Sequence, residues 1–141
     1  MKALHPYLTF PGTAEAAFTL YRTVFGGEFA VLMRFGEGPG GENVPAADRG
    51  KVMHVALPLP NGGVLMASDT CATQVTPLVV GDNVGLSIAA ESEAEVTRLF
   101  TALSEGGTVK MKPEKTFWGA YFAMCTDRFG IHWLFNYDYP K

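Results

Sequence analysis

Cysteine is scarce in this chain: Cys71 and Cys125 are the only two, far apart and outside any CxxC or Cys/His spacing. That excludes a disulfide framework and a structural zinc site, and leaves each thiol as a small, semi-buried hydrophobe. Positive charge is short too. Eleven Lys and Arg stand against fourteen Asp and Glu, a net charge of −3, and the basic residues are scattered, so the electrostatic footprint of a nucleic-acid binder is missing. No apolar run approaches the roughly 18 residues of a membrane span. "MKALHPYLTF" lacks the apolar core and cleavage site of a signal peptide. These absences point to the cytoplasm, with no membrane and no nucleic acid among the partners; a small-molecule ligand or another copy of the chain is expected instead.

What is present is the balance of a globular protein with many turns: 48% hydrophobic residues, 16 Gly and 9 Pro in 141 positions. That length fits one domain, 1–141, which buries roughly two-thirds of the surface of its unfolded form. Residues 4–10, "LHPYLTF", read as a strand, and Gly12-Thr13 open a helix over about 14–25. Ala14, Ala17, Phe18, Tyr21, Val24 and Phe25 recur there at the three-and-four spacing of one buried face. Gly26-Gly27 end it. Strand-like segments follow at 28–35, 51–59 and 63–69, the last two joined by a "PNG" turn.

The same grammar returns in the second half. Strand 84–90, "VGLSIAA", leads to "SEAEVTRLFTALSEGG", where Ser92 and Glu95 make a capping box and Val96, Leu99, Phe100 and Leu103 form a buried stripe. Strands at 108–114, 120–126 and 131–138 complete it. Leu20, Tyr21 and Val24 before Gly26-Gly27 match Leu99, Phe100 and Leu103 before Gly106-Gly107. The order predicts two βαβββ modules, about 1–70 and 83–141, joined by the apolar link "TCATQVTPLVVGDN" (70–83).

Strand alternation assigns faces. With Trp133 and Phe135 beneath the second helix, His132, Leu134 and Asn136 face the other way. In the first module Leu65 and Ala67 go under the helix, and Val64, Met66 and Ser68 oppose them. On the first strand Leu8 and Phe10 pair with the helix, while His5, Tyr7 and Thr9 join the second face. A face mixing His, Tyr, Met, Ser and Asn suits a ligand-binding concavity, which needs an apolar lining with a few placed polar groups.

These segments resemble the vicinal oxygen chelate superfamily, which includes glyoxalase I, extradiol dioxygenases and the bleomycin- and fosfomycin-resistance proteins. "PYLTFPGTAEAAFTLYRTVFGGE", "MHVALPLPNGGVLMASD", "NVGLSIA" and "FWGAYFAMCTDRFGIHW" are similar to its PhnB-like branch. The resemblance implies an α+β fold in which two βαβββ modules form a cupped mixed β-sheet, with a metal at the cup floor held by His and Glu from four strands. Carried over, those four positions are His5, Met66, Asn83 or Val84, and Leu134, of which only His5 is a good ligand. A thioether and an aliphatic chain do not suit hard divalent ions, so no metal site and no cofactor are expected. Some PhnB-like chains carry the label of a ubiquinone methyltransferase; here no glycine-rich strand-to-helix turn for a nucleoside cofactor exists, and "GEGPGGEN" (36–43) lacks a following helix.

The catalytic candidates are His5, at the matched ligand position, and His132, as a general base or replacement ligand; the plainer alternative for His132 is a hydrogen-bonded histidine lining the cup. With His54 they make a possible three-imidazole site. Tyr7, His54, Met66, Ser68, Trp118, Tyr121, Leu134 and Asn136 are the ligand-binding candidates, the aromatic ones as walls for planar ligands or as ordinary core. Asp127 and Gly130 read as turn residues, and Asp69 as a polar group near the site or a solvated strand end. Residues 36–50, without apolar period, read as a lid or a reach to a neighbouring subunit. The function expected is small-organic-molecule binding in the cup of a homodimer. The alternatives are a lyase, isomerase or dioxygenase-type enzyme with an atypical His-based site, and a dimerising module without a ligand.

Overall fold

The computed structural model describes residues 1–74 and 76–141; Val75, within the predicted link, lies outside the described residues. The helical spacing of the first half forms α1, Ala14–Phe25, and that of the second forms α2, Glu93–Ser104. Strands β1 (Tyr7–Phe10), β2 (Val31–Arg34), β3 (Val52–Pro58) and β4 (Val64–Asp69) accompany α1. Strands β5 (Leu86–Ala89), β6 (Thr108–Lys115), β7 (Ala120–Thr126) and β8 (His132–Asp138) accompany α2. The orders are β1-β4-β3-β2 and β5-β8-β7-β6, each with one parallel pair and two antiparallel ones. Two βαβββ modules therefore stand in α+β form, and the chain clusters into compact units Met1–Val79 and Val80–Lys141, dividing inside the predicted link.

Each sheet buries one face beneath its own helix, and the registers fix which residues share it. In the first unit Leu8 lies beside Ala67, Ala67 beside Val55, and Leu65 beside Leu57. These meet Ala17, Phe18 and Tyr21 of α1, where Phe18 presents an edge to Phe10 and packs at 66° on Tyr21. In the second, Trp133 pairs with Cys125 and Phe135 with Ala123. Phe100 of α2 meets the Phe135 ring at 82° with centroids 5.9 Å apart. Edge-to-face packing of that kind adds to the burial of the rings themselves.

The helices start by different means. Ser92 Oγ accepts from Glu95 N–H, and Glu95 Oε1 accepts from Glu91 N–H, so the predicted local cap of α2 is present, reaching one residue further back than a strict box. Thr13 offers α1 no side-chain bond. Asp69, from the end of β4, supplies it: Oδ1 accepts from Gly12 N–H at 3.1 Å and Ala14 N–H at 2.8 Å, and Oδ2 from Val52 N–H at 2.8 Å. Only 4% exposed, Asp69 is a buried cap rather than a solvated strand end.

Asp127 plays a comparable part in the "DRFG" turn. Its Oδ1 accepts from Phe129 and Ile131 N–H, and its Oδ2 accepts the Trp133 indole N–H at 2.9 Å. The adjacent Cys125 thiol is pushed up to about 11, first by burial and then by the Asp127 charge. Gly107 is required by space: a Cβ there would stand 2.1 Å from the Thr126 carbonyl oxygen.

Several boundaries differ from those predicted. The paired part of the first strand begins at Tyr7, so His5 precedes the ladder instead of belonging to it. The second strand begins at Val31 rather than 28. Residues 36–50 are not structureless but carry three short 3-10 turns, clasped by Arg49, which donates to the carbonyls of Val44 and Glu42.

Candidate functional site

The face of each sheet away from its helix is where reactive and recognition groups remain available. In the first unit Tyr7 pairs with Met66, Thr9 with Ser68, Met33 with His54 and Ala56 with Met66. All of these share one parity, opposite to the buried Leu65, Ala67, Val55 and Leu57. Four predicted binding residues, Tyr7, His54, Met66 and Ser68, are thus brought to one face.

There Tyr7 and His54 touch. The phenol oxygen lies 2.9 Å from Nδ1, and the rings stand 18° from parallel with centroids 5.6 Å apart. Imidazole nitrogen is a far better base than phenol oxygen and phenol the stronger acid, so Tyr7 O–H donates to Nδ1 and the imidazole proton resides on Nε2. Met33 and Met66 flank the pair by register. Strand alternation placed Tyr7 on this face and left the face of His54 open; their contact, and the place of Met33 beside them, needed the sheet order, because both side chains lean toward each other from strands on either side of β4.

In the second unit Leu134 pairs with Met124 and Ser87, and Asn136 with Phe122 and Ala89. Leu134 packs so close over Gly85 that a Cβ there would lie 2.5 Å from its Cδ1. Trp118, in the turn before β7, sets its ring 6.0 Å from Phe122 and remains 56% exposed. Tyr121 does not join them. It pairs with Tyr137 on the parity of Ala123 and Phe135, the helix side, and Phe122 takes the expected aromatic place on the open face. The sequence "AYFAM" hid this, since two adjacent aromatic residues satisfy either phase of alternation.

His132 shares the open parity with Leu134, but its ring is fully engaged. Nε2 lies 2.9 Å from the Gly81 carbonyl oxygen, which only accepts, so Nε2 carries the proton. Nδ1 then accepts from Thr126 Oγ1–H at 2.8 Å. The lone pair a general base uses is spent on Thr126, and the histidine ties residue 81 to β8. His5 is half-buried just before β1, where the Pro6 carbonyl accepts from Met66 N–H at 3.3 Å.

At two of the positions that the resemblance assigns to metal ligands, the side chains are poor donors for a divalent ion. Met66 and Leu134 occupy two of the carried-over positions with a thioether and an aliphatic group. Among the described residues no group of three or more His, Cys, Asp or Glu is placed to hold an ion. A nucleoside methyl donor fares no better at the β1–α1 turn, because the helix start that would receive an anionic group is filled by the Asp69 carboxylate. Among the described residues no helix is long and apolar enough to cross a membrane.

A family model described as 3-demethylubiquinone-9 3-methyltransferase matches residues 2–135. The structure of protein PA1353 from Pseudomonas aeruginosa is similar at 38% identity and a TM-score of 0.86, over 98% of each chain. A putative 3-demethylubiquinone-9 3-methyltransferase, PhnB protein, from Bacillus cereus is 23% identical at a TM-score of 0.77, over 96% of this chain and 99% of that one. A glyoxylase/bleomycin resistance protein/dioxygenase domain from Frankia sp. EAN1pec shares the fold at 13% identity and a TM-score of 0.67, over 99% and 98%.

Proposed function

Since the chain belongs to the 3-demethylubiquinone-9 3-methyltransferase-like, or PhnB-like, family of the glyoxalase/bleomycin resistance/dioxygenase superfamily, we propose that it binds a small organic molecule on the open faces of its sheets, without metal chemistry and without methyl transfer. The observation that carries this reading is the split of each sheet into a buried helix face and a half-exposed face lined by aromatic, thioether and a few polar side chains. Such a lining binds through apolar contact and orients through few hydrogen bonds. His132, with both nitrogens engaged, acts as a positioning residue for β8. The free thiols Cys71 and Cys125 fit the reducing cytoplasm, and the half-exposed apolar residues on the open faces support pairing of two copies.

A fragment screen by ligand-observed NMR at millimolar concentration tests the reading. Apolar ring fragments are expected to bind, and to weaken about tenfold or more when Met66→Asp and Leu134→Asp place a charge on the lining. A screen without a single hit reversed by either variant removes the proposal. Light scattering on the same sample reads the mass, and a monomer at every concentration removes the pairing.

A further inference from the structure

The geometry points to the Tyr7–His54 pair as the recognition element of the first unit, built for a planar conjugated ring that carries an acceptor such as a carbonyl in its plane. This rests on the binding reading above and names its ligand class. Three features combine. The two rings are 18° from parallel and offset so far that the phenol oxygen reaches Nδ1, so they form one extended plate rather than a face-to-face stack. Their hydrogen bond fixes the plate before a ligand arrives, which spares the ordering cost of binding. Tyr7 keeps 49% of its surface exposed and His54 is half-buried, so the plate lies open.

The second feature is the proton. With Nδ1 accepting from Tyr7, Nε2 must donate, and among the described residues it has no hydrogen-bond partner. That N–H lies in the plane of the plate and points past its edge, so a ring offset over the edge and tilted down onto it brings a rim acceptor to the donor; a donor-only rim meets N–H against N–H. The third feature is the border: Met33 and Met66, beside His54 and Tyr7 in register, supply polarisable sulfur that suits ring edges.

Three probes separate the parts of the claim: coumarin, a planar ring with a carbonyl; naphthalene, the ring alone; and 2-nonanone, the carbonyl alone. Titrated against the full chain by saturation-transfer NMR, coumarin is expected to bind tightest, about threefold to tenfold over naphthalene, the worth of one hydrogen bond. Tyr7→Ala is expected to weaken coumarin and naphthalene together by about three- to tenfold through lost stacking. Tyr7→Phe keeps the ring but frees the imidazole, so it should erase the preference for coumarin while both still bind. Independently of any variant, two-bond nitrogen–proton correlation on the free protein should find His54 protonated at Nε2, and protonation at Nδ1 overturns the donor. Binding of 2-nonanone as tight as coumarin overturns the ligand class but leaves small-molecule binding intact. If none of the probes binds and the fragment screen is also empty, both fall.

Discussion

Asp69→Ala is expected to lower the free energy of unfolding by about 3–5 kcal/mol, a large share of what a domain of this size possesses. One carboxylate serves three backbone donors: Gly12 and Ala14 at the start of α1, and Val52 at the start of β3. Alanine leaves those donors orphaned where Asp69 was 4% exposed, so incoming water does not readily replace the oxygen atoms. Asp69→Asn is the milder control. Its amide oxygen still serves one side of the cap, while its NH2 group faces an N–H, and the expected loss is about 1–3 kcal/mol. Urea unfolding checks the pair through the midpoint at constant slope. An alanine variant within 1 kcal/mol of the parent sinks the claim that this carboxylate holds strand, helix and sheet together.

Asp127→Ala is expected to cost about 2–4 kcal/mol, because it removes the acceptor for two turn N–H groups and for the Trp133 indole at a site 2% exposed. Two signals accompany the loss of stability. Near-ultraviolet circular dichroism should change as the indole loses its fixed partner. The Cys125 thiol should also titrate lower, since the Asp127 charge is the second cause of its rise to about 11. The direction follows from the charge: a nearby anion disfavours the thiolate, and removing it favours ionisation. Burial remains the larger cause, so the thiol should stay above its ordinary value. An unchanged alkylation–pH profile for Cys125 in a folded Asp127→Ala variant contradicts this account.

The fold was legible because its information is periodic. The stripe Ala14, Ala17, Phe18, Tyr21, Val24 lies within one short segment and is buried in α1, and Val96, Leu99, Phe100, Leu103 repeats it in α2. Alternation likewise placed Leu65, Ala67, Trp133 and Phe135 beneath the helices, each now found buried. Strand ends were less legible, since ladder pairing rather than composition decides them; "LHPYLTF" is strand-like throughout, yet pairing begins only at Tyr7.

The candidate site was legible by residue type and face but not by contact. Tyr7 and His54 are 47 positions apart, and nothing local announces that they meet. The engagement of His132 was hidden for the same reason, because Gly81 lies 51 positions away. Asp69 was misjudged because a carboxylate at a strand end looks solvated until a helix start is folded against it. Tyr121 and Phe122 were ambiguous within their own strand, and only the pairing of Phe122 with Asn136 separates them.

The two helix caps carry a consequence for kinship between the halves. Asp69 stands opposite Phe10 in the parallel pair of the first unit; counted from the hairpin turns, Ala67 opposite Val55 answers to Phe135 opposite Ala123, so the place of Asp69 is held in the second unit by Tyr137, whose ring meets Tyr139 edge-on. An acidic anchor in one half thus answers to a half-buried aromatic ring in the other. Grafting α1 into the second half would strip its start of the Asp69 cap, and grafting α2 into the first would leave a buried carboxylate facing a helix that already caps itself. The repeat has kept its topology while its copies have ceased to be interchangeable parts.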